Sequence, residues 1–222
     1  MFQVDIKTQV EFILLIFNCQ KYAYKAQKQK ETWLPNIPDE LLYFHVLGNP
    51  GIEKDFIIDD ENHILYVKTD DDYNSLPKKV VAALAAIHYK YEFKYIFKTD
   101  DDQFVSPENI RFFRILMNTL AKKKSEYGGH IITVNNPYRS EYYRLHPELP
   151  KNLVVMPTKY CSGRFYFLSR EAVESVLKPT TQDKIKAEYL EDYAIGYNLP
   201  KQLKTNMMHL ETSKYFTDLD FS

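Results

Sequence analysis

Glycine is scarce in this chain: there are six in 222 residues, and none between Asn18 and Lys30. That stretch follows the first long apolar run, so no glycine-rich loop of the kind that cradles phosphates stands there. Cysteine is scarcer still. Two thiols, Cys19 and Cys161, argue against a disulfide framework and suit a reducing compartment. Neither sign of charge dominates. A formal net charge of −1 excludes the broad basic footprint of a nucleic-acid-binding protein, and the short run Lys122-Lys123-Lys124 reads as the last turn of a helix. Long hydrophobic runs are missing too. The longest, Val10 to Cys19, is too short to cross a bilayer and lacks the flanks of a signal peptide. The expectation is a soluble chain.

What is present suffices for a core. Hydrophobic residues make up 45% and aromatics 15% of the sequence, enough for one sizeable α/β domain or two abutting halves. Val10–Cys19 and Leu41–Leu47 read as buried strands, and residues 57–67 as a turn between two more. Residues 21–30 read as an exposed helix that ends at Pro35, with Trp33 packed inward. Val80, Val81, Leu84, Ile87 and Tyr91 keep helical spacing after Pro77. Ile110, Phe113, Ile115, Leu116 and Leu120 do the same between Ser106 and Lys124, with Ser106 as N-cap and Pro107 in the first turn. Tyr127 starts a further strand, and Tyr160–Ser169 turns through Gly163 into another. Ser169 then caps a helix bearing Ala172, Val173 and Val176. Residues 135–152 have no clean periodicity, and a loop that long is usually a lid or a binding loop. Alternating strands and helices predict an α/β fold with a mostly parallel central sheet.

The chemistry concentrates in residues 93–105. An apolar strand, Phe93 to Phe97, runs into Lys98, Thr99 and then Asp100-Asp101-Asp102 without an intervening cation. Three adjacent carboxylates beside a buried strand repel one another and resist desolvation. A hard divalent cation such as Mg²⁺ or Mn²⁺ is the simplest compensation. In extended backbone Asp100 and Asp102 share a face while Asp101 points away, so the pair reads as a metal and diphosphate site. A solvated turn ahead of a helix is the alternative. Asp70-Asp71-Asp72 reads instead as a helix start, and neither triplet continues into a calcium-binding loop. His45, in a strand, reads as a core histidine. Glu191 and Asp192 open a short apolar run, where they suit a helix dipole.

Five segments in order resemble the β1,3-galactosyltransferase/fringe family of inverting GT-A glycosyltransferases. Lys30-Glu31-Thr32-Trp33 is similar to its arginine-x-Thr-Trp motif, with lysine in place of arginine. Asp72-Tyr73 with Leu76 and Lys79 resembles its Asp-Ser-Tyr-x-Asn-Leu-x-x-Lys segment, and Lys98 to Val105 its Lys-x-Asp-Asp-Asp-x-Phe-Val. Tyr160-Cys161-Ser162-Gly163 matches Tyr-Cys-Ser-Gly, and Glu191 to Gly196 resembles Glu-Asp-Val-x-x-Gly with tyrosine for valine.

The resemblance implies a GT-A fold over a single domain, residues 1–222, with a nucleotide-sugar half to about 105 and an acceptor half from about 106. It implies transfer of a sugar from a UDP-sugar to a hydroxyl of a glycan or glycoprotein, aided by Mn²⁺ or Mg²⁺. Asp102 would be the main metal ligand, Asp100 would bind through water or hold the ribose, and His209 would complete the shell. Donor contacts would come from Asp100, Asp101, Lys98, Lys79, Asp72, Lys30 and Gly163, although Gly163 is equally a simple turn. Asp192 would take the acceptor's proton, with Glu191 orienting it. The sequence leaves two other readings open, a sugar nucleotidyltransferase and a carbohydrate- or nucleotide-binding module without catalysis. No nucleic acid and no membrane segment enter as partners. The expected location is the cytoplasm of a microbial or virus-infected cell, or the Golgi lumen had an anchor been removed.

Overall fold

A strand buried on both faces must be apolar at every position, and Phe12–Phe17 (β1) is. Ile13, Leu15 and Phe17 pack on one side of the sheet, and Phe12, Leu14 and Ile16 on the other. The computed structural model, which describes residues 7–218, builds a mixed sheet around this strand. Its further members are Leu41–Gly48 (β2), Phe56–Asp59 (β3), Ile64–Val67 (β4), Tyr95–Asp100 (β5), Tyr127–Val134 (β7), Thr158–Ser169 (β8) and Met208–His209 (β9). Their order is β9-β7-β8-β5-β1-β2-β4-β3. β1 runs parallel to both β2 and β5, and β2 parallel to β4. β8 runs antiparallel between β5 and β7. Outside this sheet, Gln103–Val105 (β6) pairs with Phe216–Asp218 (β10).

Helices cover both faces. Ala23–Thr32 (α1) and Arg111–Lys122 (α3) lie on the side where Trp33 stacks on Phe113, with ring centroids 5.9 Å apart. Leu76–Lys90 (α2), Arg170–Val176 (α4), Pro179–Lys186 (α5) and Glu191–Asn198 (α6) cover the other. Among the described residues no helix is long and apolar enough to cross a membrane.

Two local expectations change. Ser106 does not cap α3: its carbonyl accepts from Asn109 and Ile110 in a tight turn, and the helix begins only at Arg111. Ile115 accordingly faces outward, because it and Leu116 are adjacent and a helix turns about 100° per residue. Gly163 is no turn into a strand either. It lies inside the single strand β8, where the register against β7 shifts between Cys161 and Tyr166. Such an irregularity bends the strand and redirects its groups.

Candidate active site

β1 and β5 end side by side, Phe17 opposite Asp100, so their last residues form one rim of the sheet. Alternation along β5 puts Lys98 and Asp100 toward α6 and sends Asp101 the other way. Lys98 is buried, and its Nζ lies 2.7 Å from Asp100 Oδ1, 3.2 Å from Glu191 Oε2 and 2.9 Å from the Gly163 carbonyl. Burial disfavours the ammonium, but Asp100 and Glu191 outweigh it and lift the lysine's pKa above its ordinary value. The same desolvation acts on the acids. It raises Asp100 to about 6 against the pull of Lys98, with the charge of Asp102 adding to the rise.

α6 brings the second pair of acids. Glu191 is buried, accepts from the Tyr166 hydroxyl and pairs with Lys98, so its oxygens are committed. Asp192 is half-buried, its Oδ2 accepting from the Gly163 N–H at 3.0 Å and its Oδ1 from the Tyr193 N–H at 2.7 Å. Burial raises its pKa, and Lys98 opposes that rise. Gly163 sits between the two groups of acids. A Cβ built there would stand 3.3 Å from Lys98 Nζ and 3.6 Å from both Asp100 Oδ2 and Asp192 Oδ2. Asp100 and Asp192 therefore border one small volume above this glycine.

Other predicted residues lie apart from it. Asp101 is buried and pairs with Lys25 of α1 at 3.4 Å, and desolvation lifts it to about 7 despite that partner. Asp102 lies in the turn after β5, where its Oδ1 accepts from Gln103 Nε2 at 2.8 Å. Lys79 is buried in an ion pair with Asp71 and also donates to the Asn18 carbonyl at 3.0 Å, which ties α2 to the end of β1. Asp72 accepts from the Ser75 N–H at 2.7 Å and so shapes the start of α2. Lys30 donates to the Asn62 carbonyl beyond β3. His209 is on the sheet's edge strand. Its row runs through Gly129 and Tyr166 to Lys98, three strand spacings or about 14 Å from β5. Its Nδ1 accepts from the Ile131 N–H at 3.3 Å.

Sequence patterns miss Gln29 altogether and give Tyr73 only as part of a motif, without its contacts. Gln29 of α1 is fully buried and donates to the carbonyls of Asp100 (3.2 Å) and Gln103 (2.9 Å), clamping the acidic turn from behind. Tyr73, just before α2, stacks on His146 with centroids 3.9 Å apart, while Asn74 Nδ2 reaches the Glu148 carbonyl at 3.1 Å. These contacts dock the long loop beside the acids, a position only the fold could reveal.

Magnesium or manganese is commonly held by one or two carboxylates, waters and substrate phosphates. Asp100 and Asp102 offer those oxygens at a strand tip and so fit such an ion. Among the described residues no three His, Cys, Asp or Glu side chains are grouped to hold an ion, so a cation here would draw the rest of its shell from the ligand and water.

The chain is 27% identical over 224 residues to human UDP-GalNAc:beta-1,3-N-acetylgalactosaminyltransferase 1, an alignment covering 94% of this chain and 65% of that protein. It therefore spans just under two thirds of this relative's length. Mouse beta-1,3-galactosyltransferase 1 is 25% identical over 136 residues, 59% of this chain and 39% of the relative. The expectation of a cytoplasmic location finds no support among these relatives. The α/β GT-A architecture is shared with a crystal structure of a glycosyltransferase involved in the glycosylation of the major capsid of PBCV-1, with a TM-score of 0.53 over 96% of each chain at 10% identity. A family model described as Galactosyltransferase matches residues 26–211, and the chain belongs to that family.

Proposed function

We propose that this protein is a metal-dependent, inverting glycosyltransferase that moves a sugar from a UDP-sugar to an acceptor hydroxyl of a glycan or glycoprotein in a β1,3 linkage. One observation carries the reading: Asp100 at the tip of β5 and Asp192 at the start of α6 border the same volume above Gly163. The names of the relatives support the donor class and the linkage.

In this reading residues up to about 105 form the donor half and those from about 106 the acceptor half. Asp102 and Asp100 hold the cation, which when bound offsets the charge that gathers on the departing diphosphate. His209 stays outside that shell. Of the residues the resemblance gives to the donor, Asp100 and Gly163 face it directly. Lys98 is the buried counter-ion that keeps Asp100 and Glu191 in place. Asp101, Lys79, Asp72 and Lys30 brace the surrounding backbone. Asp192 takes the acceptor proton as the new bond forms. Two backbone N–H groups fix its carboxylate, and its raised pKa makes it a stronger base than an exposed aspartate. Glu191, already bound by Tyr166 and Lys98, is a positioning residue.

The test is UDP release from UDP-GalNAc, UDP-galactose and UDP-glucose with Mn²⁺, with and without EDTA. Release that EDTA abolishes is expected. No release from any of the three, with Mn²⁺ or Mg²⁺, would overturn the proposal.

A further inference from the structure

Large exposed apolar side chains gather in one place. Tyr138, Tyr142, Leu145, Val154 and Met156 all stand at least 40% exposed within 19 residues of sequence. Contiguous exposure of this kind on a folded surface marks a binding face more often than chance.

The segment is anchored rather than loose. Tyr138–Arg139 pairs with Val154–Val155, and the Ser140 N–H donates to the Leu153 carbonyl at 2.9 Å. The Tyr142 N–H donates to Ser140 Oγ, and the Met156 N–H to the Tyr193 hydroxyl at 3.0 Å. Tyr193 in turn meets Tyr160 edge to face at 5.8 Å. The rings thus continue from the loop to α6, next to Asp192. Burial raises the phenol pKa of Tyr142 and Tyr160, and the negative charge of Asp192 pushes both the same way.

We propose that Tyr138 and Tyr142, backed by Tyr160, form the platform on which the terminal pyranose ring of the acceptor stacks. The assignment rests on the transfer reading given above and names the surface that selects its acceptor. Three features choose this occupant. The loop that carries these rings is hydrogen-bonded to Tyr193, the residue after Asp192. A phenol ring brings an apolar face together with a hydroxyl, which matches a sugar's C–H face and its polar rim. A neutral ring has nothing to hold a diphosphate, whereas a cation on Asp100 and Asp102 would draw the donor's tail to that side.

The experiment is saturation-transfer NMR of the full chain with the methyl glycosides of glucose, galactose and N-acetylglucosamine, paired with UDP release when the same glycosides serve as acceptors. At least one glycoside is expected to bind. Tyr142→Ala should weaken it by about three- to tenfold and raise the acceptor KM in step, with kcat changed less. Tyr142→Phe keeps the ring and should stay within about twofold. Ile115→Ala, which removes an exposed apolar side chain on α3, should behave as the parent. The platform is overturned if no glycoside binds, or if Tyr138→Ala and Tyr142→Ala both bind as the parent does. If glycosides bind through Tyr142 while no UDP-sugar is consumed, the platform stands and the transfer reading falls. UDP-sugar consumption without glycoside binding overturns the platform and leaves the transfer reading standing.

Discussion

The Gly163 N–H donates to Asp192 Oδ2 at 3.0 Å while the carbonyl of the same residue accepts from Lys98 at 2.9 Å. One residue in a strand irregularity thus joins the α6 carboxylate to the cluster at the tip of β5. Its φ is not in the left-handed region, so alanine can adopt the same backbone. The added methyl would enter the shared volume, 3.3 Å from Lys98 Nζ and 3.6 Å from the two carboxylates. Gly163→Ala should therefore fold, with Tm shifted by no more than about 4 °C. Its UDP-sugar turnover should fall by about tenfold or more, a barrier rise near 1.4 kcal/mol. Turnover equal to the parent's would remove Gly163 from the sugar-binding surface.

Lys98 is the counter-ion of two carboxylates, Glu191 buried and Asp100 half-buried. Lys98→Met keeps the volume but leaves Asp100 and Glu191 without their common cation, a loss of about 3 kcal/mol or more. Glu191→Gln added to that variant removes one uncompensated charge and should restore part of the loss. Urea denaturation of the two single variants and the double variant would measure the coupling. Additive losses would mean that the 3.2 Å contact between Lys98 and Glu191 contributes no specific energy.

Asp192 works as a base only when deprotonated. Its pKa is raised by burial, so the acid limb of the kcat/KM profile should lie above pH 4, about where an exposed aspartate titrates. Activity is retained above that limb and lost as pH falls through it. Asp192→Asn should lower kcat by about 10³ while calorimetry shows UDP still binding with Mn²⁺. Substantial residual transfer would assign the proton to another group.

Local chemistry made much of this legible. β1 could be read from its sequence because burial on both faces demands an unbroken apolar run. The acids of β5 and α6 stood out because like charges crowd at consecutive positions. Gln29 gave no such signal: its amide reaches the Asp100 carbonyl 71 residues away, a contact that exists only once α1 packs behind the turn. Lys79 and Lys30 stand out only through the aligned motifs, which say nothing of the contacts the fold gives them, the first with Asp71 and the second with the Asn62 carbonyl. Gly163 resembled a turn because strand irregularities are set by the neighbouring strand, which sequence periodicity does not reveal.

His45 in β2 is a core histidine, 1% exposed, with neither ring nitrogen in a hydrogen bond. Burial pushes its pKa from 6.5 to about 3, and the charges of Lys30 and His63 push the same way. The folded state thus holds the imidazole neutral, while the unfolded chain takes up a proton below pH 6.5. The stability from neutral His45 is complete above that pH and drains away as pH falls toward 3, on the order of 5 kcal/mol in all. Between pH 7 and pH 5 the share lost is about 2 kcal/mol. His45→Leu carries no such proton and should lose about 2 kcal/mol less over that interval in urea titrations at the two pH values. At pH 7 it should be about as stable as the parent, because the ring gives up no hydrogen bond. Identical losses in the two proteins would mean that the imidazole protonates inside the fold and that the sheet interior at β2 admits the charge.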